Sequence, residues 1–259
     1  MTDERRKLEM AAEELERLMK DRFERPMLKR FYKEVYVEGT RAPWSIRLDR
    51  GLLKTPMRVT LELPTRALAD AVAEEWRRQE DVINPFDMPL TRLSNAAIDR
   101  VRGRRRDVIG AICAYGAHDL LCYRADSPLA FVHLQRTTWD PLLEWAEKEI
   151  GGRFIVSEGV MPAEQPAETL QALTDRYSVF GDFQLAALNN MATLSASAIL
   201  PLAVARGRIP PEEAWEAANL EEAWNIRQWG EDPEALARTA RRRLEFLSAA
   251  ELLKLLKRP

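Results

Sequence analysis

Between Phe31 and Pro64 the chain alternates apolar and polar residues, and beyond Pro64 the spacing lengthens. This change of period orders the fold, because a two-residue repeat lines one face of a strand and a 3.6-residue repeat lines one face of a helix. In FYKEVYVEG, Tyr32, Glu34, Tyr36 and Glu38 oppose Phe31, Lys33, Val35 and Val37, an imperfect alternation ended by Gly39. WSIRLDRG sets Trp44, Ile46 and Leu48 against Ser45, Arg47 and Asp49, with a turn at Asp49-Arg50-Gly51. After the short LLKTP segment, MRVTLELP alternates again up to Pro64. Three or four short strands with tight turns read as an antiparallel meander.

From Thr65 the pattern is helical. Thr65 can cap a helix whose Leu68, Val72 and Trp76 share one face. Asn84-Pro85 interrupts it, and MPLTRLSNAAIDRV resumes with Leu90, Leu93, Ala97 and Val101 inward. Arg100, Arg102, Arg104, Arg105 and Arg106 then form a basic cluster, read as a solvated helix end. DVIGAICAYGAHDLLCYRA reads as helix on both sides of Gly116, and SPLAFVHLQ and WDPLLEWAEKEIG as two amphipathic helices, the second stopped by Gly151-Gly152. RFIVSEGV is one short extended piece. Helices are predicted over 165–180, 182–206 with Pro201 inside, 211–229 and 233–257. The fold class is α+β: a small N-terminal antiparallel β-containing subdomain followed by a larger, mostly α-helical C-terminal domain. The divisions are a charged N-terminal helix over 1–29, with Leu8, Leu15, Leu18 and Met19 as a thin stripe, a β-rich domain with helices over 30–110, and a helical domain over 111–259.

Several function classes find no support. The 39 basic and 41 acidic residues nearly cancel, giving no general attraction to nucleic acid or anionic membrane. The basic cluster has no interleaved aromatic residues on which bases could stack. Two cysteines, Cys113 and Cys122, make no disulfide framework and point to a reducing compartment. The N-terminus has neither the apolar core of a secretory signal nor the low acid content of a transit peptide. The most apolar run, Met191 to Ala205, is 15 residues long and contains Pro201. A membrane span needs about 20, so no membrane insertion is expected and the chain reads as cytoplasmic.

Catalytic chemistry is equally unsupported. His118 and Cys122 are spaced i, i+4 with Cys113 nearby, but no second ligand pair accompanies them, and His133 stands apart. There is no phosphate-cradling glycine loop, hence no cofactor, and Ser195 and Ser197 lack a nucleophile elbow. Thr55 and Asn95 read as turn and helix-contact residues. No metal and no enzyme activity are expected.

One stretch does point outward. NLEEAWNIRQWGEDPE, residues 219–234, mixes Trp224 and Trp229 with Glu221, Glu222 and Asp232 on nearly the same helical face. Aromatic anchors beside carboxylates suit a protein-binding surface. Trp76, Trp139 and Trp145 are assigned to the structural core.

In order, the blocks RFYKEVYVEG, LLKTP, LPTRALADAVAEEWRRQ, MPLTRLSNAAID, DLLCYRA, the stretch from Gln135 through WDPLLEWA, and LEEAWNIRQWGEDPEA resemble the assembly-chaperone family for the catalytic head of F-type ATP synthase. The similarity covers roughly residues 30 to 250. It implies an ATP-independent chaperone that binds the unassembled α subunit until the β subunit displaces it, acting as a monomer. It also implies that the carboxylates of the last block, Glu221 and Glu222 and more weakly Asp232, are the sensitive positions. Two departures stand out. Asn225 replaces the family's usual glutamine, and Ser195-Ala196-Ser197 replaces its common Gly-Ser. The competing expectation is a small-molecule enzyme or binding module using the crevice between the two domains.

Overall fold

The computed structural model describes residues 28–159, 163–230 and 233–257. The charged helix expected over 3–22 lies outside them. The alternating region forms an antiparallel sheet of β1 (Val35–Glu38), β2 (Ser45–Leu48) and β3 (Gly51–Leu52), in that order. Val37 pairs with Ile46 and Val35 with Leu48, so Val35, Ile46 and Leu48 turn inward while Tyr36 and Glu38 face out. Asp49 closes the turn at φ 51° and accepts the Glu34 and Lys33 N–H groups at 2.8 and 3.0 Å. Those bonds hold its carboxyl below the ordinary range. MRVTLELP is no fourth strand. The turn at Thr55–Arg58 interrupts the ladder, leaving single bridges at Lys54–Thr60 and Trp44–Leu63, although Leu61 and Leu63 are both fully buried as the alternation requires.

Helix α1 (Arg66–Arg77) starts where Thr65 Oγ1 accepts the Leu68 N–H at 3.2 Å, and Leu68 and Val72 are buried. Helix α2 (Pro89–Ala96) runs into a π-turn over Ala97–Val101. No side chain caps α2 locally. Glu75 of α1 does so instead, accepting the Leu90 and Thr91 N–H groups at 2.7 Å each. Helix α3 (Arg105–Ala117) spans the division expected near residue 110. Beyond it the predicted helix is absent. DLLCYRA forms a 3-10 turn, Leu120–Cys122, and strand β4 (Tyr123–Arg124), which pairs in parallel with β5 (Ser157–Glu158).

Helix α4 (Leu129–Ile150) joins the two helices expected there, with Pro141 inside it. Phe131, Gln135, Trp139, Leu142, Ala146 and Ile150 make one unbroken buried stripe. That continuous burial outweighs the roughly 3 kcal/mol that an interior proline costs. Gly151, at φ 76°, ends the helix in the left-handed conformation open to glycine.

Helices α5 (Ala167–Ser178), α6 (Asp182–Ser195), α7 (Ile199–Ala205), α8 (Pro211–Ala218), α9 (Leu220–Trp229) and α10 (Pro233–Leu255) follow. Two predicted helices are therefore split. The 182–206 segment breaks at Ala196, φ 51°, rather than at Pro201, which sits in the first turn of α7 where its missing N–H leaves no gap. The 211–229 segment breaks at Asn219, whose dihedrals leave the helical region.

The first break is held by Asp119, 78 residues or more away in sequence. Its fully buried carboxylate accepts Ser197 Oγ–H at 3.0 Å, Ala198 N–H at 2.8 Å and Ile199 N–H at 3.1 Å, and Leu121 N–H at 3.1 Å on its own side. Burial pushes it up to about 6 even so. Tyr177 Oη–H donates to Ala198 O from the other flank. Nearby, α3 passes so close to α5 that a Cβ on Gly116 would lie 2.4 Å from Leu173 Cδ2.

Helix α10 packs along α6, which in turn covers α3 and the π-turn, and one continuous apolar core extends from Tyr32 to Leu253. Trp139 is buried and donates Nε1–H to Ala217 O at 2.9 Å. Trp76 and Trp145 are half-buried against the same core. Among the described residues, no helix is long and apolar enough to cross a membrane.

Candidate partner-binding site

The LEEAWNIRQW segment folds as α9, and none of its residues is buried. Asn219 separates it from α8, and Gly230, at φ 91°, stops it while donating its N–H to Ile226 O at 2.9 Å. Its two tryptophans divide. Trp224 is half-buried and stacks in a tilted arrangement on Phe131 of α4, ring centroids 5.3 Å apart. Trp229, at the C-terminal end, is 79% exposed.

Helices α9 and α10 flank an open cleft of about 460 Å³. Glu221, Glu222, Asn225, Ile226 and Trp229 line it from α9, and Ala235 and Leu236 from α10. Glu222 Oε1 accepts the Thr239 hydroxyl at 2.6 Å, which ties the helices together and fixes that carboxylate at the cleft wall. Glu221 is exposed beside it. Both acids occupy the first turn of α9, where the helix N-terminus favours negative charge.

Glu221, Glu222 and Trp229 thus share one cleft, while Trp224 lies behind it as a support. Asp232 lies outside the described residues. Leu236, 37% exposed, completes the cleft from α10, and Thr239 holds its Glu222 wall. Sequence reading had only a weak sign of them: a leucine in an otherwise charged, solvated stretch. The cleft combines an apolar floor, an aromatic rim and two carboxylates. It can take up a protruding apolar side chain flanked by a cation.

The possible metal pair is differently placed. His118 is exposed and its Nδ1 lies 3.1 Å from Tyr123 Oη, whereas Cys122 is buried, which pushes its thiol up. Among the described residues no group of three or more histidine, cysteine or acidic side chains converges as a metal site.

Comparison with known proteins defines the context. Residues 29–147 match the model of a family described as ATP12 chaperone protein. The crystal structure of Atp12 from Paracoccus denitrificans is 38% identical, superposes with a TM-score of 0.82, and is matched over 99% of its length and 89% of this chain. The chain belongs to the ATP12 chaperone family. A putative chaperone from Agrobacterium tumefaciens is similar at 43% identity and a TM-score of 0.85, over 91% of this chain and 88% of that one. The mitochondrial protein atp12 of Schizosaccharomyces pombe is 24% identical over 217 residues, 79% of this chain and 75% of that protein. As an ATP12-family member the chain is an ATP synthase assembly chaperone of α+β fold, in keeping with the resemblance read from its sequence blocks. The α9–α10 cleft lies outside the span of the family match and is built from the last of those blocks.

Proposed function

We propose that the chain binds the unassembled α subunit of F-type ATP synthase through the α9–α10 cleft and keeps it from aggregating until the β subunit takes its place. The observation that carries this reading is Trp229, held 79% exposed beside the Glu221 and Glu222 carboxylates on a helix with no buried residue. An isolated subunit of a ring exposes an interface that is apolar at its centre, and such patches drive aggregation. A cleft with an aromatic rim covers part of that patch. Carboxylates beside it pair with client cations and set the orientation of encounter more than the affinity. Release then follows from competition by the β subunit at the shared surface, with no nucleotide. We assign the activity to a cytoplasmic monomer without a cofactor.

The test is suppression of light scattering by purified α subunit, without nucleotide. The unaltered chain is expected to suppress it. Glu221→Lys with Glu222→Lys should lose the effect, because two charges reverse at the cleft wall, while far-UV dichroism stays unchanged and stability falls only by the roughly 0.5–1.5 kcal/mol of the lost Glu222–Thr239 hydrogen bond. No suppression by the unaltered chain refutes the client. Equal suppression by the lysine variant refutes the site.

A further inference from the structure

Between the π-turn and α3 the chain runs RVRGRRRD, from Arg100 to Asp107. Sequence reads this cluster as a solvated helix end, but the fold orders it. Arg102 N–H donates to Ala97 O at 3.0 Å and Arg104 N–H to Val101 O at 2.9 Å, with Gly103 at φ 96° between them. Arg105 reaches across to the turn that joins α5 to α6. Its guanidinium donates to Asp182 Oδ1 at 2.6 Å, to Phe180 O at 2.7 Å and to Ser178 O at 3.3 Å. Arg102 lies 3.8 Å from the other oxygen of the same carboxylate. The two carbonyls gripped by Arg105 flank Val179, which is held out at 69% exposure.

Arg104 and Arg106 take no part in this clamp. Both are exposed, and neither forms an ion pair among the described residues. Arg102, Arg104, Arg105 and Arg106 outnumber the acids set among them, Asp107 and Asp182, so the patch is net positive. Its setting works against that charge. Arg104 is the N-cap of α3, and Arg105 and Arg106 stand in its first turn, with no side chain capping that end. A helix carries about half a positive charge there and favours acids over bases. Cations kept where the local structure disfavours them mark a position held for something other than stability.

The sign of the patch defines its partner, which is acidic. The 39 basic and 41 acidic residues of the whole chain nearly cancel, so there is no general field for a polyanion, and no aromatic side chain is interleaved for bases to stack on. One exposed valine is too little apolar surface to enter a lipid interface, where large apolar side chains carry the insertion. A polypeptide supplies both parts, carboxylates for the guanidinium forks and an apolar side chain to cover Val179. We propose that this arginine turn is a second client contact, where Arg104 and Arg106 pair with an acidic segment of the client and Val179 packs against an apolar residue beside it. The inference rests on the client reading above. It adds an anchor opposite in sign to the carboxylates of the α9–α10 cleft, so that the client is held in one orientation.

The experiment uses the full chain, purified α subunit, an array of overlapping α-subunit peptides and vesicles of mixed phosphatidylserine and phosphatidylcholine. The variants are Arg104→Glu with Arg106→Glu, Val179→Asp, and Glu221→Lys with Glu222→Lys. The arginine variant is expected to lose about tenfold in affinity for α subunit and for one set of acidic peptides. Its melting temperature should hold or rise, because two cations leave the positive end of α3. Val179→Asp should weaken the same peptides, and the lysine variant should keep them. Unchanged binding of α subunit and of every peptide by the arginine variant overturns the inference, as does full retention of the acidic peptides by Val179→Asp. A fall in melting temperature that accompanies the loss overturns it by giving the arginines a structural role. Loss of vesicle binding with α-subunit binding intact overturns it in favour of a lipid surface. If the unaltered chain binds no α subunit, the client reading falls and this inference with it; if it binds and the arginine variant binds equally, this inference alone falls.

Discussion

The knot at Asp119 and the pair of helices α9 and α10 lie at opposite extremes of burial. At the knot, a fully buried carboxylate accepts four hydrogen bonds and joins two segments that sequence keeps far apart. In the helix pair, no residue of α9 is fully buried, Trp224 is half-buried on Phe131, and the terminal Trp229 stands in solvent. The same chain buries Trp139 to 1% exposure and bonds its indole, so exposure of Trp229 is not a failure to find room in the core. The contrast separates a framework that holds itself together from a surface whose apolar groups are left to solvent.

The largest test of that contrast is Asp119→Ala. It leaves the Ala198 and Leu121 N–H groups and the Ser197 hydroxyl buried without their acceptor. A loss of about 3 kcal/mol or more is expected in urea denaturation, and an unchanged midpoint would deny the knot its role. Ala196→Gly probes the same break from the other side. Ala196 sits at φ 51°, where a side chain costs roughly 1–2 kcal/mol that glycine avoids. The variant should gain about 1 kcal/mol, and destabilisation would show that the alanine methyl packs usefully.

A smaller effect is the pH dependence of the knot. Asp119 lies at about 6 in the fold against an ordinary 3.8, so its contribution is fully present below 3.8 and lost as pH rises through about 6. Between about pH 5 and about pH 7.5 the wild-type chain should lose about 1 kcal/mol relative to Asp119→Asn, which has no such titration. Asp49, shifted the opposite way by the Glu34 and Lys33 amides, is common to both chains and cancels in the difference. A gap that widens with pH contradicts the assignment. Smallest of all should be the stability effect of Trp229→Ala, within about 0.5 kcal/mol, while binding of α subunit weakens. A large drop in melting temperature would move Trp229 from surface to framework.

Much of this organisation can be read along the chain. The inward set Val35, Ile46, Leu48, Leu61 and Leu63 follows from alternation, and the Thr65 cap and Gly151 stop follow from residue type. The face of α9 that mixes tryptophan with glutamate is legible for the same reason. Other features have no local sign. SPLAFVHLQ and WDPLLEWAEKEIG read as two helices but form the single helix α4, because the buried stripe continues from one into the other. Asn95 and Thr55 read as ordinary contact and turn residues, and only the tertiary fold sets Asn95 in a cleft wall and bonds the Thr55 hydroxyl to Asp99. The departure from Gly-Ser at Ser195-Ala196-Ser197 carries no local sign of its setting. In the fold it is a change at a left-handed backbone position.

Sequence by itself determined the α+β order, the antiparallel meander, much of the helical facing and the solvent-facing helix α9, since each depends on residues within a few positions of one another. Tertiary structure alone decided where α6 ends, how α2 is capped, which tryptophan of α9 remains exposed and which polar groups share a cleft. Those outcomes depend on hydrogen bonds and burial between segments far apart in the chain, such as Asp119 with Ser197 and Glu75 with Thr91, and local periodicity carries no record of them.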